Sequence, residues 1–121
     1  MIMLRLVHVF DIKSGNSPES FLSWLETALF PKSKEFGCIE RKNWIFLDGI
    51  KDPYGKAKKK EKRPKYISEA FWEDQKGAEE FREWLRSPEG SDYRKIWHDN
   101  ISHHSLLRYV EFSSPISLGD D

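Results

Sequence analysis

The stretch Ile2-Met3-Leu4-Arg5-Leu6-Val7-His8-Val9-Phe10 decides the architecture, because an extended chain sends successive side chains to opposite faces and here both faces are apolar. Leu4, Leu6, His8 and Phe10 share one side of the predicted strand, and Met3, Arg5, Val7 and Val9 share the other. A strand with one wet side alternates apolar with polar residues. This one needs cover on both sides.

Downstream, Ser17 and Pro18 suit the cap and first position of a helix. Phe21, Leu22, Trp24, Leu25, Ala28 and Leu29 then recur at helical spacing, Pro31 breaks the run, and Gly37 ends it, which predicts a helix over 18–36. Cys38–Leu47 reads as a second strand with Trp44 and Phe46 on one face and Ile39, Ile45 and Leu47 on the other. Residues 48–64 carry Pro53, Gly55 and many lysines without apolar periodicity, so an exposed loop joining two hairpin strands is expected. Tyr66–Trp72 is the third strand. A second helix follows Glu73-Asp74 through Ala78, Phe81, Trp84 and Leu85, is interrupted at Ser87–Gly90, and resumes through Tyr93, Ile96, Trp97 and Ile101. His104–Phe112 is the last strand, and 113–121 a polar tail.

The order strand, helix, strand, strand, helix, strand predicts an α+β domain over 1–112: a ferredoxin-like βαββαβ sandwich whose four-stranded antiparallel sheet has both helices on one face. The other face would then display either Met3, Val7 and Val9 or Leu4, Leu6 and Phe10, together with Leu107 and Tyr109 or Leu106, Val110 and Phe112. At about 25 cal/mol per Å² of apolar area, leaving such a face in water forfeits several kcal/mol. A second copy of the chain is the simplest cover, so a homodimer is expected.

Composition narrows the function classes. Of 121 residues, 38% are hydrophobic and 33% charged, with 20 basic against 20 acidic, which excludes a disordered chain and gives no net charge to steer a partner. The apolar start is too short to span a membrane. Cys38 is the sole cysteine and has no partner at zinc-ligand spacing, so a reducing, cytoplasmic setting is expected. Residues 56–63 concentrate six basic side chains and one acid, while the rest of the chain holds 14 basic and 19 acidic residues. RNA-recognition modules share this element order, but Lys65–Phe71 lacks the glycines and paired aromatics of their third strand, which argues against nucleic acid and for a solvated hairpin tip.

The segment Phe71-Trp72-Glu73-Asp74-Gln75-Lys76-Gly77-Ala78-Glu79-Glu80-Phe81-Arg82-Glu83-Trp84-Leu85-Arg86-Ser87-Pro88 resembles the third strand, turn and second helix of the dimeric α+β barrel superfamily. Its nearest likeness there is to antibiotic-biosynthesis-monooxygenase-type and haem-degrading-monooxygenase-type proteins; Asp11–Gly15 and Phe36-Gly37-Cys38 are similar in the same way. The resemblance implies a homodimer with a pocket between sheet and helices that takes a small apolar or aromatic ligand, commonly without a cofactor. Trp84 and Glu89 stand where many monooxygenase-type members have helix-two histidines. The haem-degrading members combine a strand-one Asn, a helix-two Trp and a His about ten residues later; the corresponding positions are His8, Trp84 and Arg94. His98 takes the haem-ligand role only if Pro88–Asp92 is an insertion, and haem is thus the alternative to a cofactor-free pocket.

From the residues themselves, His8 is the leading catalytic candidate: an imidazole mid-strand among apolar neighbours, titrating near ~6.5, is a general base for a bound phenol or enol. Against it stands a hydrogen-bonded core or interface histidine. Glu69, flanked by Ile67 and Phe71, is either an acid or base with a raised pKa or an ion-pair partner of Arg5 or Arg108. Tyr66 is the third catalytic candidate. Trp72, Trp84, Trp97 and His98 are the candidate pocket walls, with core packing the alternative for the tryptophans. His98, His103 and His104 have no specific metal spacing, and no metal site is expected. Whether the protein is an enzyme or a structural, stress-type dimer with a filled pocket stays open at this level.

Overall fold

A computed structural model of the chain describes residues 3–56 and 59–111. The first strand, β1, spans Leu4–Ile12. A helical stretch follows as α1 (Pro18–Trp24), one π turn (Leu25–Leu29) and α2 (Phe30–Lys34). Ser17 Oγ accepts the Ser20 N–H at 3.2 Å, as its capping position predicts. The expected break at Pro31 is softened: the π turn, in which the Phe30 N–H reaches back to Leu25 O, lets the helix axis continue past a residue that has no N–H to give. Gly37 adopts φ +110°, the left-handed conformation a terminating glycine supplies.

Strand β2 covers Cys38–Ile45, shorter than expected by Phe46 and Leu47. The following loop is more ordered than its composition suggests, since Ile50–Lys51 (β3) and Lys59–Lys60 (β4) pair as a small antiparallel ladder of their own. Residues 57–58 of the basic run lie outside the described residues. Strand β5 is Tyr66–Trp72, α3 is Gln75–Arg86, a 3₁₀ turn covers Pro88–Gly90, and α4 is Ser91–Asn100. Asp74 caps α3 by accepting the Gly77 N–H at 2.9 Å. Gly77 is held to glycine because a Cβ there would lie 2.2 Å from the Phe36 carbonyl oxygen. The last strand, β6, runs Ile101–Val110, starting three residues earlier than expected and taking Ile101 from the helix; Phe112 and the tail over 113–121 lie outside the described residues.

The four long strands form one antiparallel sheet in the order β2-β5-β1-β6. Leu4 and Phe10 of β1, Ala70 and Trp72 of β5, Phe21, Leu25 and Leu29 of the first helical stretch, and Ala78, Phe81 and Trp97 of the second fuse into a single core. The helices therefore cover the even-numbered side of β1. On the odd-numbered side, Val7 is nearly buried by its sheet neighbours, whereas Leu107 is 42% and Tyr109 50% exposed, and these line a groove of about 590 Å³ with Arg5, Val9 and Phe46. No described helix is long and apolar enough to cross a membrane.

Candidate functional site

The helix-covered side of the sheet is not filled throughout. A cavity of about 130 Å³ lies between Leu6 and His8 of β1, Arg41 of β2, Trp72 of β5 and the inward faces of α3 and α4. It adjoins, across His8, Leu85 and Trp97, an outer hollow of about 370 Å³ that His98, Ile101 and His104 also line. Its walls are mainly apolar.

His8 sits mid-β1, opposite Ser68 of β5 on one side and Leu106 of β6 on the other. The β1–β6 register slips between Val9 and Asp11, and His103, with φ +53°, lies in the extra length on β6. A bulge of this kind re-aims side chains. Here it separates two neighbouring histidines: His103 Nδ1 lies 3.2 Å from Asp11 Oδ2, and His104 Nε2 lies 2.9 Å from His8 Nδ1. Trp97 supports the pair, with ring centroids 5.0 Å from His8 and 5.7 Å from His104. Burial, then the positive charge of Arg41, then His104 hold His8 well below the ordinary histidine range; burial also lowers His104. Near pH 7 both rings are consequently neutral. One shared proton joins Nδ1 to Nε2, and the other nitrogen of His8 keeps its lone pair when His8 is the donor.

Arg41 reaches the same cavity from the neighbouring edge strand. It pairs in register with Ala70, and its Nη1 donates to Ser68 Oγ at 3.0 Å, so two small residues of β5 let the long side chain lie across the central strand. Burial brings its pKa down to about 10. Its Nε is buried without an acceptor, as is the indole Nε1 of Trp72.

Among the expected site residues, the structure brings His8, Trp72 and Trp97 to one cavity and His98 to its outer mouth. Tyr66 is on the same face but buried against Phe10, ring centroids 5.9 Å apart, and lines neither hollow. Glu69 is on the opposite face, where Arg5 donates to its Oε2 from both Nε and Nη2 and the Trp44 indole N–H donates to Oε1 at 3.2 Å. The ion-pair alternative describes it, and the sheet separates it from His8. Trp84 also stands apart, stacked on Phe81 and edge-on to Tyr93 with Lys32 Nζ 4.7 Å from its ring.

The haem alternative needs a tryptophan and a histidine of the second helical stretch at one slot. They do not share one: Trp84 lies within the aromatic cluster, and the His98 side chain is 85% exposed. No group of three or more metal-ligating side chains occurs among the described residues.

Two residues of the site were not anticipated as such. His104 was read only as a loosely spaced histidine, because its place beside His8 depends on the bulge. Arg41 left a fainter signal: with Asn43 it puts polar side chains at alternate positions on the face of β2 opposite Trp44, and a strand packed under helices has little use for them unless something polar is held there.

No family model and no curated protein matches the chain. Solved structures do. A dimeric ferredoxin-like protein of unknown function from Thermobifida fusca shares 14% identity, with 91% of this chain and 92% of that one covered and a TM-score of 0.58. A hydroxynitrile lyase from Passiflora edulis shares 15%, with 93% and 97% covered and a TM-score of 0.60. SnoaB, a cofactor-independent oxygenase from Streptomyces nogalater, shares 14%, with 95% and 98% covered and a TM-score of 0.55. The chain has the ferredoxin-like fold. At these identities the ferredoxin-like frame is common property and the side chains within it are not, so the likeness assigns no chemistry to this cavity.

Proposed function

We propose that the protein is a homodimeric enzyme of the dimeric α+β barrel type that binds a small apolar or aromatic molecule in the cavity under its helices and moves a proton with His8. The observation that carries this reading is the His8–His104 hydrogen bond at 2.9 Å in the wall of a cavity that is open, not filled by side chains. A purely structural histidine needs no empty volume beside it. Here the imidazole is kept neutral, is oriented through Nδ1 by His104, and has its remaining nitrogen available to a ligand's acidic C–H or O–H. Trp97 fixes both rings, and the leucine and aromatic walls exclude water from the ligand. Both a lyase and a cofactor-independent oxygenase appear among the proteins of similar fold, which supports proton abstraction from a bound organic acid without choosing its substrate. The dimer uses the Val7–Leu107–Tyr109 face, whose groove is otherwise left to water.

The test is deuterium incorporation at the activated methylene of 2-tetralone in D₂O, followed by NMR. The wild-type protein accelerates exchange and His8→Gln loses about 100-fold or more of that rate, in the range of general-base effects. Equal rates in the two proteins would remove His8 as the base.

A further inference from the structure

Proton transfer leaves the positive charge at Arg41 without a purpose. Three guanidinium groups border the inner cavity, Arg41, Arg82 and Arg108, with Glu79 the lone acid on its walls. Among the described residues none of the three is ion-paired. Arg82 and Arg108 are exposed and water can answer them. Arg41 differs: its Nε is sealed from solvent with no acceptor, and one nitrogen meets only the neutral hydroxyl of Ser68. A half-buried cation with a sealed nitrogen and no anion is an unusual thing for a fold to keep, because charge is tolerated beside an apolar interior when something opposite meets it. A second donor of the same cavity, the Trp72 indole N–H, is also sealed and unanswered.

From this pair of unmet donors we infer that the cavity takes flat apolar ligands bearing a carboxylate, which Arg41 binds as counter-ion with the Trp72 indole N–H as second donor. The walls select the rest of the ligand: Leu6, Leu29, Phe81 and Leu106 offer nothing polar, so the ligand is an aromatic or similarly oily monocarboxylate. The inference rests on the cavity being the ligand site, as proposed above, but not on His8 being a base. It also gives the two edge contributions separate tasks: β2 supplies the anchor through Arg41, and β1 with β6 supplies the proton-transfer pair.

Isothermal titration with 2-naphthoate and its uncharged isostere 2-naphthamide tests it, with the ¹⁵N-labelled protein reporting the Trp72 indole resonance. Wild-type protein binds the acid about tenfold or more tighter than the amide, and the acid moves the Trp72 indole signal. In Arg41→Met, folded by circular dichroism, the preference disappears while the amide binds within about twofold of its wild-type affinity. Equal binding of acid and amide to the wild type would overturn the anchor and leave the cavity standing as a neutral-ligand site. A preference that survives Arg41→Met would move the anchor to Arg82 or Arg108 and overturn the assignment. Should neither compound bind, the cavity reading falls, and the anchor with it. The wild-type comparison and the indole signal need no variant, so a poorly folding Arg41→Met leaves the inference testable.

Discussion

The two faces of one sheet treat charge in opposite ways. On the open face Arg5, Glu69 and Trp44 form a closed set, in which a buried carboxylate receives two guanidinium N–H groups and one indole N–H. On the helix-covered face Arg41 is half-buried with a hydroxyl for company, beside a neutral histidine pair and an empty volume. Both arrangements put polar groups among apolar side chains, Glu69 buried on one face and Arg41 half-buried on the other. The difference is completeness: a satisfied cluster stabilises its own surroundings, whereas an unsatisfied one has capacity left for something that arrives later. This is the ground on which a structural role is proposed for Glu69, equally conspicuous in the sequence, and a functional one for His8 with Arg41.

The comparison breaks most sharply through the core that defines the covered face. Phe10 is fully buried, edge-on to both Phe21 and Trp97, so Phe10→Ala should cost about 3–5 kcal/mol in urea unfolding and loosen the cavity with it. On the other face the expected damage is to association and not to the fold. Leu107→Glu puts an unpaired carboxylate into the groove with Val7 and Tyr109, and sedimentation equilibrium should show dimer association weakened to about 100-fold higher Kd or beyond, with the subunit's circular dichroism unchanged. A wild-type protein that sediments as a single subunit would remove the dimer.

Charge deletion sharpens the contrast. Glu69→Gln removes the charge and one of the two oxygens to which Arg5 and Trp44 donate, and should destabilise by about 1–3 kcal/mol, since a buried group loses its charge-assisted bonds and turns an N–H₂ toward a donor. Arg41→Met takes away a half-buried charge that no carboxylate answers, and its stability should lie within about 1 kcal/mol of wild type or above it. Chemical denaturation of both variants decides the matter. Equal losses would mean that Arg41 is as structural as Glu69, and the distinction between the faces would collapse.

How far the sequence carried this picture follows from the range of the forces involved. Strand alternation in Ile2–Phe10 and the helical spacing of Phe21, Leu25 and Leu29 are local patterns, and they led directly to the element order, the sheet and the apolar second face. Gly37 and Ser17 were legible for the same reason, because a cap or a left-handed terminator acts within a turn. The boundary at Ile101 and the π turn before Pro31 were not, since each is settled by packing against other elements. The site was harder still. Glu69 and His8 differ by one position in parity once β1 and β5 are set in register, so whether they meet depends on a pairing, Val7 opposite Glu69 and His8 opposite Ser68, that no local pattern announces. His104 joins His8 through a bulge, and Arg41 through two small residues on an intervening strand. These are long-range facts.

The finest test of the difference between the faces uses protons. His8 titrates well below its unfolded value near ~6.5, so above that pH both folded and unfolded chains carry it neutral and its environment contributes fully to stability. As the pH falls through ~6.5 the unfolded chain takes up a proton that the folded chain refuses, and stability declines with it, by at most about 1.4 kcal/mol per pH unit for this one group, until the folded pKa is reached. The quantity to compare is therefore the slope of unfolding free energy between about pH 6.5 and pH 5 in wild type and His8→Gln. The variant should lose roughly one proton's worth of slope, because His104, lowered by burial alone, remains to titrate in both. Identical slopes would mean that His8 is protonated without penalty in the folded chain, and burial beside Arg41 would then not be what keeps the proposed base neutral.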